Sequence, residues 1–363
     1  MLNYFNQYKF FALIQTDIEK SLTEIFFISQ RQSADRDPTE ITSLTSSGIS
    51  TLNNVELSIS EPKNSAIIHM DVDQNFLPIP SVVKASIFES FARQNMAESE
   101  TDVQSALQQL LKSNYGFLTN SSSEFIYGNS PVALFNKLVL CCKQERGTLL
   151  FPSGTNGNYV SAANFMKAKT IIIPTQSGTG FKIVPKTLEN LLGNVSRPWV
   201  YISGPTINPT GLLYSNKELR DILCVCARFG ARVVIDTSSS GLEFKTEGWS
   251  RWDMQSTLSN MKSLDSSFCV SLLGGLSFEM LTGGLGFGFL VLTDPQLIDL
   301  FHIFPSLSRP HSTVKYAVKK LLGFREQRIQ HFLEAIAKQK EILKSQSSQL
   351  SEVSFSQHFH FPL

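Results

Sequence analysis

Residues 204–211 read Gly-Pro-Thr-Ile-Asn-Pro-Thr-Gly and stand between a short apolar run and an amphipathic stretch. The apolar run, 199–202, predicts a strand, and residues 216–228, preceded by Ser215 as a cap, predict a helix. A second apolar run then ends at Asp236. A turn of this composition is common and alone indicates little. Its place between a strand, a helix and a strand ending in aspartate predicts one unit of a mostly parallel sheet.

The same alternation of apolar and amphipathic stretches continues on both sides of this unit. Because the apolar runs are continuous, they predict strands that are buried on both faces. Strands are predicted at 148–151, 170–173, 199–202, 233–235, 268–270 and 287–291. Helices are predicted at 130–142, 216–228 and 316–343, and Gly323 is expected to bend or divide the last. The predicted fold class is α/β, a mostly parallel sheet with helices on both faces.

Four regions are predicted along the chain. Residues 1–30 are expected to end in a strand, and residues 31–63, rich in Ser, Thr, Asp and Asn, form a linker. Residues 64–310 form the large α/β domain, and residues 311–363 hold the long helix and the start of a truncated small domain. The first apolar run is broken by charges and has no small-residue cleavage site, so it resembles neither a signal peptide nor a membrane span.

Composition limits the classes of function. The 363 residues are 42% hydrophobic and 17% charged, with a formal net charge of +1, which is typical of a soluble globular protein. No basic cluster interleaved with aromatic residues indicates nucleic-acid binding. The five cysteines lack metal-binding spacing, and we expect reduced thiols in a cytoplasmic protein. His358 and His360 lack acidic or cysteine neighbours, which favours a solvated tail over a metal site.

The order of strand, Asn-Pro-Thr-Gly, helix, strand and aspartate resembles that of the fold-type-I aminotransferases, which use pyridoxal phosphate. The resemblance implies that Asp236 lies beside the pyridine nitrogen of the cofactor and that Asn208 donates to its phenolate oxygen. A carboxylate at that place raises the pKa of the nitrogen by charge pairing. The protonated ring can then act as an electron sink. The alternative is that Asp236 merely ends a strand.

The resemblance extends upstream to residues 124–134, which read EFIYGNSPVAL. They look like the family's glycine-containing turn, which leads into a helix whose N-terminus receives the cofactor phosphate. Gly128, Asn129 and Ser130 would supply its backbone and hydroxyl donors. The same residues also suit an ordinary helix start, with Ser130 or Asn129 as the cap and Pro131 in the first turn. The two interpretations are compatible.

Two positions depart from the family pattern at the centre of its chemistry. In the family a lysine follows a serine, and the phosphate-binding arginine of a G-x-R-x-G segment lies eight residues later. Aligning residues 284–288 with that segment places Gly286 at the arginine and Phe278, directly after Ser277, at the lysine. Phenylalanine forms no aldimine and carries no proton, and glycine makes no bidentate phosphate contact. We therefore expect no catalytic residue and no covalently bound cofactor. Ser277 stays a candidate contact for non-covalent pyridoxal phosphate or pyridoxamine phosphate.

Two further positions differ in the same direction. Ser239 stands where the family commonly has a tyrosine, and Asn156 stands where an aromatic side chain stacks on the cofactor ring. The family's small domain normally supplies an arginine for the substrate carboxylate, and we expect that domain to be largely absent from these residues. The resemblance therefore implies a cofactor site that has lost its chemistry.

The sequence also resembles the C-terminal half of the plant methionine S-methyltransferases, on residues 128–130, 151–159, 204–211 and 274–288. In that family an N-terminal domain makes S-methylmethionine from S-adenosylmethionine and methionine, and residues 1–30 would be its tail. The resemblance implies a non-catalytic region with a structural or regulatory role in a cytoplasmic homo-oligomer, with a small amino-acid-like ligand in the old cleft and neither nucleic acid nor membrane as a partner. The alternatives are a pyridoxal-phosphate-dependent aminotransferase-like enzyme acting on an amino acid, with displaced machinery, and a fragment without a function of its own.

Overall fold

The computed structural model describes residues 81–92, 100–119, 123–241, 243, 250–276, 286–304, 309–326, 329–330, 333–334, 337–338 and 341. The predicted N-terminal strand, the linker 31–63, Ser277, Phe278 and the histidine pair 358–360 lie outside these residues. The division of the chain into four regions therefore stays a prediction.

Seven strands of the described residues form one sheet. Their bounds are β1 (Glu124–Gly128), β2 (Thr148–Pro152), β3 (Lys169–Ile173), β4 (Pro198–Ser203), β5 (Arg232–Asp236), β6 (Val270–Gly275) and β7 (Gly288–Leu292). The spatial order is β1-β7-β6-β5-β4-β2-β3. From β3 to β6 all neighbouring strands are parallel, whereas β7 runs antiparallel to both β6 and β1. The predicted mostly parallel α/β sheet is confirmed.

Helices of the described residues connect these strands and cover them. Their bounds are α1 (Ser81–Ala92), α2 (Glu100–Tyr115), α3 (Pro131–Gln144), α4 (Gly157–Phe165), α5 (Pro185–Leu192), α6 (Asn216–Arg228), α7 (Met254–Leu264), α8 (Pro295–Ile303) and α9 (Ser312–Gly323). The helices predicted at 130–142 and 216–228 are thus confirmed as α3 and α6. Each begins after a serine whose side chain accepts a backbone N–H of the first turn, which is why it starts where it does.

The sheet separates two apolar layers. On one face, alternate strand residues such as Leu149 and Val234 pack with α3, α4 and α8. On the other face, residues such as Leu150 and Val233 pack with α2, α5, α6, α7 and α9. Burial on both faces explains the continuous apolar runs, because parallel strands covered by helices expose neither set of side chains.

Three sequence-based boundaries were wrong. The strand predicted at 268–270 begins only at Val270, because Phe268 donates its backbone N–H to Asp265 in a turn and cannot join the ladder. Residues 124–128, interpreted as part of a turn, form the edge strand β1. The long helix predicted at 316–343 begins earlier, at Ser312. The expected division at Gly323 is confirmed, since α9 ends there and the described residues from 325 to 341 are helical again.

The five cysteines are unpaired, and Cys141, Cys142 and Cys226 are buried. Burial raises the pKa of each of these three thiols to about 12. They are therefore inert packing residues rather than reactive thiolates.

Two features are absent from the described part of the chain. No group of three His, Cys, Asp or Glu side chains there is arranged to hold a metal ion. None of its helices has the combination of length and apolar character needed to cross a bilayer.

Candidate functional site

The candidate site lies at the carboxyl edge of the parallel strands, where β4 and β5 end. Ser203, the last residue of β4, is in register with Asp236, the last residue of β5. Asn208 follows β4 and donates its backbone N–H to the Ser203 hydroxyl at 3.1 Å. The structure therefore places Asn208 in the loop just beyond β4 and Asp236 at the end of the neighbouring β5, the usual position of ligand sites in open α/β sheets.

Asp236 is buried and fully engaged with its neighbours. Only 4% of the surface of Asp236 is exposed to solvent. Oδ2 accepts the hydroxyl of Tyr201 at 2.6 Å, and Oδ1 accepts the backbone N–H and the hydroxyl of Ser238 at 2.9 and 2.5 Å. A buried carboxylate must find such donors, since an unpaired charge would be costly there.

Tyr201 and Tyr159 form an aromatic group beneath this carboxylate. Their ring centroids are 5.2 Å apart, and Phe135 meets both rings edge-on at 5.7 and 4.9 Å. Burial, and then the adjacent Asp236 carboxylate, raises the pKa of both tyrosine phenols well above the ordinary value. Both hydroxyls therefore stay protonated and can act as donors toward Asp236.

The 204–211 loop is fastened to the segment after β5. Gly204 donates its N–H to the Asp236 carbonyl oxygen at 2.9 Å. Thr206 donates its N–H to the Ser240 hydroxyl at 3.2 Å and its own hydroxyl to the Glu243 carboxylate at 2.5 Å. On its other side the loop packs on Trp252, so closely that a Cβ at Gly204 would lie 2.6 Å from Cη2 of the indole. These contacts fix the position of the loop against the turn after β5 and against Trp252.

At the N-terminus of α3, the expected phosphate site, backbone N–H groups of the first turn are bonded to Ser130. The Ser130 hydroxyl accepts the N–H of Ala133 at 3.1 Å, and the Ser130 carbonyl oxygen accepts that of Leu134 at 3.3 Å. Pro131 occupies the first turn and has no N–H. Gly128 is buried at the end of β1, and Asn129 is exposed. The structure thus shows the ordinary capped helix start that the sequence predicted, with Ser130 as the cap and Pro131 in the first turn.

Backbone from β6 and β7 approaches this helix start very closely. A Cβ at Gly288 would lie 2.5 Å from the carbonyl carbon of Ser130, and one at Gly275 would lie 2.7 Å from Cγ of Pro131. At Gly286, the position aligned with the family's arginine, a Cβ would lie 2.8 Å from the carbonyl oxygen of Asn129. Real side chains do not tolerate such distances, so the glycines close the space where a phosphate-binding side chain would begin.

Asn156 and Ser239, the other departing positions, both lie near this edge. Asn156 caps α4, and its side-chain oxygen accepts the N–H of Asn158 at 3.0 Å. Ser239 is buried in the turn after β5. Neither is aromatic, so the described residues at these two positions offer no ring to stack on a cofactor.

A family model described as Aminotransferase class I and II matches residues 67–355. The chain belongs to the aminotransferase class I and II family. Solved structures show the same fold. A pyridoxal-phosphate-bound C-S lyase from Staphylococcus hominis superposes with a TM-score of 0.67 at 17% identity, covering 79% of this chain and 70% of that one. An aspartate aminotransferase from Rhizobium meliloti gives 0.65 at 15% identity, covering 85% and 74%.

Sequences that are more similar to this chain than those of the solved structures are named methionine S-methyltransferases. This aminotransferase-family chain is 58% identical over 321 residues to a methionine S-methyltransferase of Hordeum vulgare, which covers 87% of this chain and 30% of that protein. It is 50% identical over 348 residues to a methionine S-methyltransferase of Arabidopsis thaliana, covering 96% and 32%. The chain therefore spans about a third of the length of these relatives.

The described residues of this family member do not fit pyridoxal phosphate. Gly286 and Gly288 leave no room for a phosphate-binding side chain beside Asn129, and the donors of Asp236 are already in place. A phosphate dianion also needs a cation nearby. Gly286, at the position of the family's arginine, supplies no such charge.

Sequence patterns had not singled out Tyr201, Tyr159, Ser238, Ser240 or Glu243. One signal was available for Tyr201, since a tyrosine within a continuous apolar strand must find a partner for its hydroxyl. The others come from contacts between separate loops, which no local pattern encodes.

Proposed function

We propose that this chain is the aminotransferase-like region of a methionine S-methyltransferase and that its role there is structural or regulatory. The observation that carries the proposal is the 58% identity to the Hordeum vulgare enzyme, which extends over 87% of this chain but only 30% of that protein. Methyl transfer from S-adenosylmethionine to methionine then belongs to the part of the longer protein outside this match. The transcript tests this directly, because it should encode a methyltransferase domain in frame with these residues.

The proposal includes the loss of transaminase chemistry. A transaminase needs a lysine to hold the cofactor and to move the proton of the substrate carbon. Phe278 occupies that position by alignment, and Gly286 occupies that of the phosphate-binding arginine. The close approach of Gly286 to Asn129 supports the same conclusion, because it leaves the arginine no space. We propose that no pyridoxal phosphate is covalently bound.

A cofactor assay separates this proposal from an active aminotransferase. The purified chain is incubated with pyridoxal phosphate, treated with borohydride and digested for peptide mapping, with the Rhizobium meliloti aspartate aminotransferase as the positive control. We expect a colourless protein and no labelled lysine from this chain. A yellow protein whose colour is trapped on a lysine would refute the proposal.

The regulatory form of the proposal requires an amino-acid-like ligand in the old cleft. Titration calorimetry with methionine, S-methylmethionine and S-adenosylmethionine, on folded protein, tests it. An Asn208→Ala variant is the matched control, because Asn208 lies in the loop that follows β4 at the candidate site. Heat that disappears in the variant supports regulation. Absence of heat with all three compounds leaves the structural role.

The structural form of the proposal is that the region assembles a cytoplasmic homo-oligomer. The unpaired state of all five cysteines supports a reducing compartment. Sedimentation velocity across a range of concentrations tests the assembly. A species that remains monomeric throughout, and that also gives no heat in calorimetry, would leave neither role in place.

A further inference from the structure

The Asp236 carboxylate has little acceptor capacity left. An ionised carboxylate offers about four lone-pair positions. The Tyr201 hydroxyl, the Ser238 N–H and the Ser238 hydroxyl fill three of them. The Tyr159 hydroxyl faces the same carboxylate. A pyridinium N–H would have to displace one of these donors rather than meet a free oxygen.

Displacing Tyr201 would leave its hydroxyl without a partner in the core, and displacing Tyr159 would leave it only its contact with Ser238. The two residues are 2% and 4% exposed, and their rings are held by contacts with each other and with Phe135. Water therefore cannot replace the lost carboxylate. A buried hydroxyl that loses its partner bears the full cost of desolvation, which opposes the exchange.

Asp236 also connects three pieces of structure. Its side chain ties β4 through Tyr201 to the turn at Ser238, and its carbonyl oxygen accepts the N–H of Gly204 at the start of the 204–211 loop. Next to it, Ser240 and Glu243 hold Thr206 of the same loop. The residue that would face a cofactor ring is thus the centre of an internal polar network.

We infer that Asp236 has exchanged its ring-binding role for that of an internal anchor, which holds Tyr201 and the turn after β5 and accepts no phosphorylated pyridine cofactor. This role is independent of whether the chain assembles or regulates a methyltransferase.

A double-mutant cycle in the full chain tests the anchor. The variants are Asp236→Asn, Tyr201→Phe and the pair, compared by thermal unfolding. Tyr316→Phe is the matched control, because the Tyr316 hydroxyl also donates to a carboxylate at 2.6 Å, but to that of Glu89. We expect each single variant to lower the unfolding midpoint by about 2–8 °C.

Coupling between the two sites decides the outcome. We expect the Asp236→Asn, Tyr201→Phe pair to lose clearly less than the two separate shifts combined. The double variant of Asp236→Asn with Tyr316→Phe should lower the unfolding midpoint by the sum of the two single shifts. Additive losses in both pairs would overturn the anchor. If Asp236→Asn does not fold, Tyr201→Phe alone still tests it, since a midpoint unchanged from wild type would contradict a buried carboxylate contact.

Pyridoxamine phosphate provides the second readout. Because it needs no lysine, its binding reports the ring and phosphate contacts alone. We expect no rise in the unfolding midpoint of the wild-type chain at millimolar pyridoxamine phosphate. A rise in the wild type that is absent from Asp236→Asn, or from Tyr201→Phe if the former does not fold, would show that Asp236 still holds a ring and would overturn the inference. Such a result would leave the proposed place in a methyltransferase untouched.

Discussion

The surroundings of Asp236 and those of Asn129 lie at the same edge of the sheet but are filled in different ways. Around Asp236, polar side chains satisfy one another through Tyr201 and Ser238. Around Asn129, backbone fills the space, because Gly286 and Gly288 let the strand approach the start of α3. Asp236, which would face the cofactor ring, is bonded to side chains of the protein. The space beside Asn129, where the phosphate would lie, is filled by backbone. Side chains can be exchanged singly, but a closed backbone cannot be reopened by one substitution.

The largest expected effect is at the closed end. Gly288→Ala places a Cβ 2.5–2.8 Å from three backbone atoms of Ser130 and Pro131. Backbone cannot move aside as a side chain can, so we expect a loss of about 3 kcal/mol in the free energy of unfolding, measured by urea denaturation. Gly157→Ala is the matched control, since nothing lies within 4 Å of its added Cβ. Equal stabilities of the two variants would mean that this end is not closed.

Gly286→Arg asks whether the phosphate end can be rebuilt. The new Cβ would lie 2.8 Å from the Asn129 carbonyl oxygen, so we expect a loss of about 1–2 kcal/mol and no gain in affinity for pyridoxamine phosphate. Denaturation and calorimetry measure the two effects. A stable variant that binds pyridoxamine phosphate would show that only the arginine side chain had been missing.

The two helix caps beside the site should have similar strengths. Ser130→Ala and Ser215→Ala each remove a hydroxyl that accepts an N–H of the first turn. We expect each to cost about 1 kcal/mol at neutral pH, measured by denaturation. Ser256→Ala is a suitable control because Ser256 is exposed and lies inside α7. A neutral Ser130→Ala variant would indicate that the closed backbone, rather than the cap, positions α3.

The smallest expected effect is a difference in the pH dependence of these two caps. Burial acts to raise the pKa of Glu218, but hydrogen bonds from Lys182 and Ser215 outweigh it and hold that pKa below its ordinary value. Glu218 therefore stabilises the fold above the pKa of an unfolded glutamate, and the contribution disappears as pH falls through the lower folded pKa. We expect Glu218→Gln to cost about 0.5 kcal/mol at pH 7 and progressively less below about pH 4.3.

The start of α3 provides the comparison for that titration. Its cap has Ala133 where α6 has Glu218, so the cost of Ser130→Ala should not change over the same pH range. Denaturation of Glu218→Gln and Ser130→Ala at several pH values measures both. A constant cost for Glu218→Gln down to pH 3 would contradict the role of its charge.

The sequence by itself determined the α/β class, most of the strands and the helices α3 and α6. These follow from local causes: continuous apolar runs, helical periodicity and capping serines at 130 and 215. The placement of Asn208 and Asp236 at successive strand ends also followed, because parallel strands separated by a helix finish at the same edge.

Only the tertiary structure decided how the old cofactor site is filled. The pairing of β1 with β7, the contact of Tyr201 with Asp236 and the approach of Gly286 to Asn129 all join residues far apart in the chain. Such contacts depend on strand order and register, which the spacing of residues along the chain does not encode. The sequence showed that a lysine and an arginine are missing, and packing showed that backbone of Asn129 approaches the arginine's position.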